Sequence, residues 1–236
     1  MKKAKFQHPM TKVEAIVGWV YVFVHIFAMP YIVSALNAFV FPKLGFQLNS
    51  TWLNFLYYAI GFVFLMGFLF HFLRESFGNM WNNFMATVVS VLIGYVAYIF
   101  LSAAVNLMIG FFVPSTVNPN SAAINSIIRI NPKKMVVIGV LLAPVVEETL
   151  FRGVVFGTLR RKNAILAYVV SSLRFSVYHL WSYFLDGGSL WDLLYLLQYI
   201  PAGLVLGWCY EHSGSVWASV FLHMLINYVS ITVTIG

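Results

Sequence analysis

Residues 84–113 read FMATVVSVLIGYVAYIFLSAAVNLMIGFFV, thirty residues without a charge. A helix needs about 20 mostly apolar residues to cross the hydrocarbon of a bilayer. This run is long enough to span with a tilt, or to hold two shorter pieces. Outward from it lie six more segments of similar character. Residues 15–41 and 51–73 precede it, and 135–159, 164–185, 190–210 and 215–235 come after it. The expected fold is therefore all-α, a polytopic membrane helix bundle of about seven transmembrane helices. Pro30 and Pro201 sit inside two of these segments and predict kinks, while Pro144 lies one turn before an acidic pair.

Composition supports the same fold class. Of 236 residues, 61% are apolar and 9% charged, against about 45–50% and about 25% in soluble domains. Seven acids and fourteen bases cannot wet a globule of this size, which excludes an ordinary cytosolic enzyme. The single Cys209 excludes a disulfide framework and a cysteine-based zinc site. The bases fall between apolar runs, so they read as topology signals rather than a nucleic-acid surface. Lys2, Lys3, Lys5, Lys12, Arg74, Arg160, Arg161 and Lys162 share one side, and Lys43, Arg129, Lys133 and Lys134 the other. Eight against four predicts a cytoplasmic N-terminus and an outside C-terminus in a cell membrane. The N-terminal MKKAKFQHPMTK lacks a cleavage site, so the first helix is expected to be retained. The polar connection 114–134 divides the chain into 1–134, with three spans, and 135–236, with four. A single folded unit is expected.

The informative residues are polar ones where lipid should forbid them, at about 2.5–3.5 kcal/mol each. Residues 143–157, APVVEETLFRGVVFG, place Glu147, Glu148 and Arg152 within one span. Glu148 and Arg152 are four apart and share a helix face, so they can pair. Glu147 lies about 100° around the helix from Glu148, has no sequence-local cation, and is the acid left for general-base work. Phe175 and His179 share a face of the next span. His223 and Asn227 share a face of the last. Each is also readable as packing or as interhelical glue. At about 1.5 Å per residue, Glu147, His179, His223 and Asn227 fall about 12 to 22 Å from the inner ends of their helices. Four costly groups on three helices in one slab point to one site.

At these residues the sequence resembles the CAAX-protease and bacteriocin-processing (CPBP, or Abi) family of intramembrane endopeptidases. The motifs are Glu147-Glu148-x-x-x-Arg152, Phe175-x-x-x-His179 and His223-x-x-x-Asn227, in order on successive apolar helices. The resemblance covers roughly 135–230. It implies that Glu147 and His179 activate water, that His223 and Asn227 stabilise the oxyanion, and that Glu148, Arg152 and Phe175 support them. Bacterial members are associated with maturation of bacteriocins or peptide pheromones, or with self-immunity. The implied substrate is a membrane-associated peptide or protein. Arg174 is a further candidate, able to pair with Glu148, sit near water or bind a substrate carboxylate, although a charge snorkelling or paired within the bundle is the favoured reading. Tyr178 and Trp181 are candidate packing or lining residues.

No cofactor is expected on the glutamic-type reading. A zinc-dependent protease using Glu147, His179 and His223 is the enzymatic alternative, although no His-Glu-x-x-His is present and Asn227 would lack a task. A non-catalytic bacteriocin-immunity protein would keep the fold without turnover. A proton-coupled transporter fits less well, since the chain lacks two similar halves.

Overall fold

The computed structural model describes residues 6, 8–112, 118–185 and 190–236, and among them the chain forms nine helices and no strand. In chain order these are α1 (Lys12–Leu44), α2 (Ser50–Phe68), α3 (Phe70–Asn82), α4 (Phe84–Phe112) and α5 (Pro119–Ile130). The second part holds α6 (132–160), α7 (Ala164–Leu185), α8 (Leu196–Ser213) and α9 (Val216–Ile235). Lys2, Lys3 and Lys5, three of the bases behind the orientation expectation, lie outside the described residues, as does the start of the 114–134 connection.

Side chains close the helix starts, where backbone N–H groups have no partner within the helix. Thr11 and Glu14 form a reciprocal capping box on α1. The second oxygen of Glu14 accepts the Phe72 N–H at 2.7 Å, so one carboxylate serves the starts of both α1 and α3. Asn49, Asn118 and Ser215 cap α2, α5 and α9. Gly45 (φ +84°) and Gly214 (φ +74°) end α1 and α8 in the left-handed conformation that glycine adopts without strain.

Five helices are long and apolar enough to cross a membrane: α1, α2, α4, α8 from Leu193 onward, and α9. The chain is a multi-pass membrane protein. Seven spans were expected, and the two that fall short are α6 and α7. They carry Glu147, Glu148 and Arg152, and Arg174 and His179, respectively, so the polar groups of the interior lower the hydropathy of the helices that bear them. The expected segment 51–73 also divides. Its helix ends at Phe68, and α3 begins a separate amphipathic helix with Phe72 and Leu73 buried and Arg74 and Glu75 exposed. The segment expected from 190 enters through a 3₁₀ turn, Leu190–Tyr195, before α8.

Helix α6 is the axis of the bundle. Every residue from Ala143 to Gly157 is buried, charges included, as expected only of a helix enclosed on all sides. Gly18 of α1 lies against Val154, Gly61 of α2 against Val146, and Phe72 of α3 against Gly153. Ser171 of α7 donates to the Phe151 carbonyl at 3.0 Å, and Arg152 donates to the Gly203 carbonyl of α8 at 3.3 Å. The main core joins Tyr21, Leu65 and Phe72 of the first part to Leu150, Leu206 and Leu222 of the second. By contrast α4 is a peripheral helix, with Leu92, Phe100, Leu107 and Phe111 exposed, as apolar side chains facing lipid should be.

Two prolines are accommodated by the same device. In α1 a wide π turn, Val24–Ala28, sends the Met29 N–H to the Val24 carbonyl. The next carbonyl, that of His25, would need a donor from Pro30, which has none. The Tyr57 hydroxyl fills the gap at 2.9 Å. In α6 the π turn Val137–Leu142 sends the Ala143 N–H to the Ile138 carbonyl. Pro144 then leaves the Gly139 carbonyl without a donor, and the Asn227 amide supplies one at 2.8 Å. Pro201 lies within α8, which continues past it.

Candidate active site

The three motifs meet at the middle of α6. Glu148 and Arg152, both 0% exposed, form an ion pair of 2.9 Å, the local i, i+4 contact expected from their spacing. The same Glu148 oxygen accepts from His223 Nδ1 at 2.9 Å, which ties α9 to α6. With Nδ1–H donating to Glu148, His223 turns Nε2 toward Glu147, 4.0 Å from its Oε2. The Arg152 guanidinium lies over the Phe175 ring at 4.4 Å, and that ring packs against His179 and His223. Phe175 thus fills the space between the charged pair and both imidazoles.

Glu147 is held differently. Its Oε1 accepts from the Tyr58 hydroxyl at 2.7 Å, while its Oε2 has no hydrogen-bond partner in the protein. His179 donates from Nδ1 to the Phe175 carbonyl at 2.7 Å, which leaves Nε2 with a lone pair in the neutral ring. The ring stacks on Tyr199, with centroids 4.4 Å apart. Glu147, His179, His223 and Asn227 all line one cavity of about 1230 Å³. Among the described residues no hydrogen bond joins Glu147 to His179 directly. They face the same space instead.

Asn227 departs from the arrangement read in the sequence. One of its amide protons is committed to the Gly139 carbonyl, so it does not simply stand beside His223 as a free donor. Its second N–H remains for the cavity. Arg174 is partnered within the bundle. It pairs with neither Glu148 nor the cavity, and its guanidinium lies over Trp19 and Phe23 of α1 at 5.1 and 4.6 Å. An arginine at that depth finds cation–π partners in place of an acid. Tyr178 and Trp181 do line the cavity. Trp181 packs edge-on against Phe27 and Tyr31, and the Tyr178 hydroxyl approaches Tyr57 and Tyr58.

Sequence reading missed Tyr57, Tyr58 and the two freed carbonyls. The Tyr57-Tyr58 pair in an apolar span and the depth of Pro30 and Pro144 were the available signals. Among the described residues no three His, Cys, Asp or Glu side chains group closely enough to hold a metal ion. Outside the bundle, His8 packs on Gly157, bonds the Tyr210 hydroxyl at 2.8 Å, and is held neutral, its pKa lowered to about 3 by burial and the nearby Arg161 charge.

Known proteins resemble the part of the chain that carries the motifs. Residues 130–229 match the model of the type II CAAX prenyl endopeptidase Rce1-like family. This region of the chain is similar to that family. It spans α6 to α9 and holds all three motifs. YdiL of Bacillus subtilis (strain 168), named as a candidate membrane peptidase, is 29% identical over 109 residues, 46% of this chain and 40% of its own. The UPF0177 protein YxdF of Lactococcus lactis is 29% identical over 87 residues, 37% of this chain and 42% of its own. The aligned part of this chain thus spans about two-fifths of each of these relatives. No solved structure matches significantly. The match begins at residue 130, so α1 to α5 lie almost wholly outside the Rce1-like region.

Proposed function

We propose that the protein is a glutamic-type endopeptidase of a bacterial cell membrane, cleaving a peptide bond in a membrane-associated peptide or protein. The observation that carries this reading is Glu147. It is a carboxylate 3% exposed, held on one oxygen, with the other unpartnered at a cavity shared with His179, His223 and Asn227. In this reading a water bound between Glu147 Oε2 and His179 Nε2 loses a proton to Glu147 as its oxygen attacks the scissile carbonyl carbon. The C=O electron pair moves onto oxygen. The oxyanion is met by the free N–H of Asn227 and by His223 as an imidazolium, with Glu148 as its counter-ion. Collapse of the intermediate breaks the C–N bond, and Glu147 returns its proton to the leaving amine. Arg152 holds Glu148 in place through their 2.9 Å contact. The Rce1-like match and YdiL support peptide hydrolysis as the reaction class, and the bacterial sources of YdiL and YxdF support a peptide of the bacteriocin or pheromone kind.

The test is hydrolysis of peptide libraries by purified protein in proteoliposomes. Glu147→Gln should lower kcat by about 10²–10⁴-fold, the range of a general base, with folded protein recovered at the wild-type level. His179→Ala should behave alike. Wild-type turnover by Glu147→Gln would remove the basis of the reading. Activity unchanged in strong chelators supports the metal-free mechanism, and loss restored by zinc favours the zinc reading.

A further inference from the structure

The hydroxyl that reaches Glu147 from the first part of the chain is that of Tyr58, on α2, outside the Rce1-like region. It belongs to a chain of hydroxyls. Tyr58 Oη lies 2.7 Å from Glu147 Oε1 and 3.1 Å from Tyr178 Oη, which lies 3.2 Å from Tyr57 Oη. Tyr57 in turn reaches the His25 carbonyl at 2.9 Å.

Counting protons gives the chain a direction. Four contacts share three phenolic protons while Glu147 is ionised. The carboxylate can only accept, so Tyr58 donates to it. The His25 carbonyl can only accept, and Pro30 offers it nothing, so Tyr57 donates there. Tyr178 then has one proton and two acceptors. Donation to Tyr58 lengthens a cooperative chain ending on a charge, which strengthens the bond to Glu147. Donation to Tyr57 gains no charged terminus. The favoured arrangement is Tyr178 to Tyr58 to Glu147, with Oε1 occupied and Oε2 left without a partner.

We propose that Tyr58 is a positioning residue for Glu147, reserving Oε2 for the attacking water, and that Tyr178 reinforces it. This rests on the peptidase reading above. It gives the first part of the chain a share in the site, since α2 supplies the hydroxyl and α1, through His25, anchors its neighbour.

The experiment combines kinetics with infrared spectroscopy of full-length protein in proteoliposomes. The carboxyl band of Glu147 is the one lost in Glu147→Gln. In Tyr58→Phe, which removes one oxygen, that band should move. The same variant should lose about 10- to 100-fold in kcat with KM little changed, the value of a hydrogen bond to a charged group. Tyr178→Phe should lose less, about three- to tenfold, and Tyr57→Phe less again. A residue that merely packs α2 on α6 would lower the melting temperature and leave both band and kcat per folded molecule in place. An unmoved band, or an undiminished kcat, in Tyr58→Phe overturns the proposal while wild-type hydrolysis keeps the peptidase reading. If the wild type hydrolyses no peptide, the peptidase reading falls and the positioning role falls with it.

Discussion

Helices α1 and α6 are built alike up to their prolines and differ in the residues beyond them. Each has a wide turn, then a proline, then a carbonyl whose donor the proline removed, and in each another helix supplies the missing proton. In α1 the donor is Tyr57 on His25, and past Pro30 the helix carries only apolar or neutral residues until Lys43. In α6 the donor is Asn227 on Gly139, and the residues just past Pro144 are Val145, Val146, Glu147 and Glu148. A freed carbonyl is thus a local backbone need, met by whichever donor packs nearby. In α1 it only fastens helices. In α6 it fixes Asn227 at the cavity that Glu147 also lines. An amide with two protons can serve the backbone with one and a substrate oxygen with the other, whereas a phenol with one proton cannot.

The two helices should diverge most severely at the charged turn that α1 lacks. Glu148→Ala or Arg152→Ala strands a fully buried charge, at about 3–5 kcal/mol. Each should sharply reduce the folded protein recovered in detergent, and removing both should cost less than the two losses together. Normal accumulation and melting of either single variant contradicts the pair's structural role.

Next is Asn227→Ala, which should do two separable things. It leaves the Gly139 carbonyl buried without a partner, about 1–3 kcal/mol. It also removes an oxyanion donor, about 10²–10³-fold in kcat. Adding Pro144→Ala restores a backbone N–H, so the double variant should regain melting temperature but not kcat. Recovery of both would make Asn227 a structural donor alone.

The counterpart in α1 sharpens the contrast. Tyr57→Phe should cost about 1–3 kcal/mol by stranding the His25 carbonyl, recovered by Pro30→Ala. Turnover per folded molecule should fall by less than about threefold, because Tyr57 touches Glu147 only through other hydroxyls. A hundredfold loss would erase the distinction between the two prolines.

A pH-dependent effect concerns the segment leading into α1, which rests on the far end of α6. Arg161 donates to the carbonyls of His8 and Met10, and the His8 ring is buried and neutral with a pKa near 3. The unfolded chain takes up a proton at this residue near pH 6.5, and the folded one does not until about pH 3. Stability from this group is complete above pH 6.5 and declines as pH falls toward 3. Melting curves across that window should flatten in His8→Gln. An unaltered slope assigns the acid sensitivity to other groups.

How far the sequence reaches depends on the range of each interaction. The Glu148–Arg152 pair was legible because four residues of helix put two side chains on one face, a purely local rule. The helical membrane fold followed equally directly, since lipid permits no unpaired backbone and an apolar run thirty residues long has few other fates. The motif order on successive helices marked Glu147, His179, His223 and Asn227, and all four line one cavity. Five of the seven expected spans meet the length and apolarity of a membrane helix, and α6 and α7 carry charges because a helix enclosed by protein need not satisfy lipid. The partners of Arg174 could not be named from the sequence, because Trp19 and Phe23 lie some 150 residues away in the chain.

By itself the sequence determined the class of the fold, the identity of the buried charges, and the pairing of those one helical turn apart. Only the tertiary structure decided which oxygen of Glu147 is free, which proton of Asn227 is spent, and that Tyr58 of α2 reaches the site. Spacing along a helix is set by about 1.5 Å of rise and about 100° of turn per residue and can be read in advance. Contacts between helices depend on how whole faces pack, and a freed carbonyl or a spare hydroxyl acquires its partner only when the bundle closes.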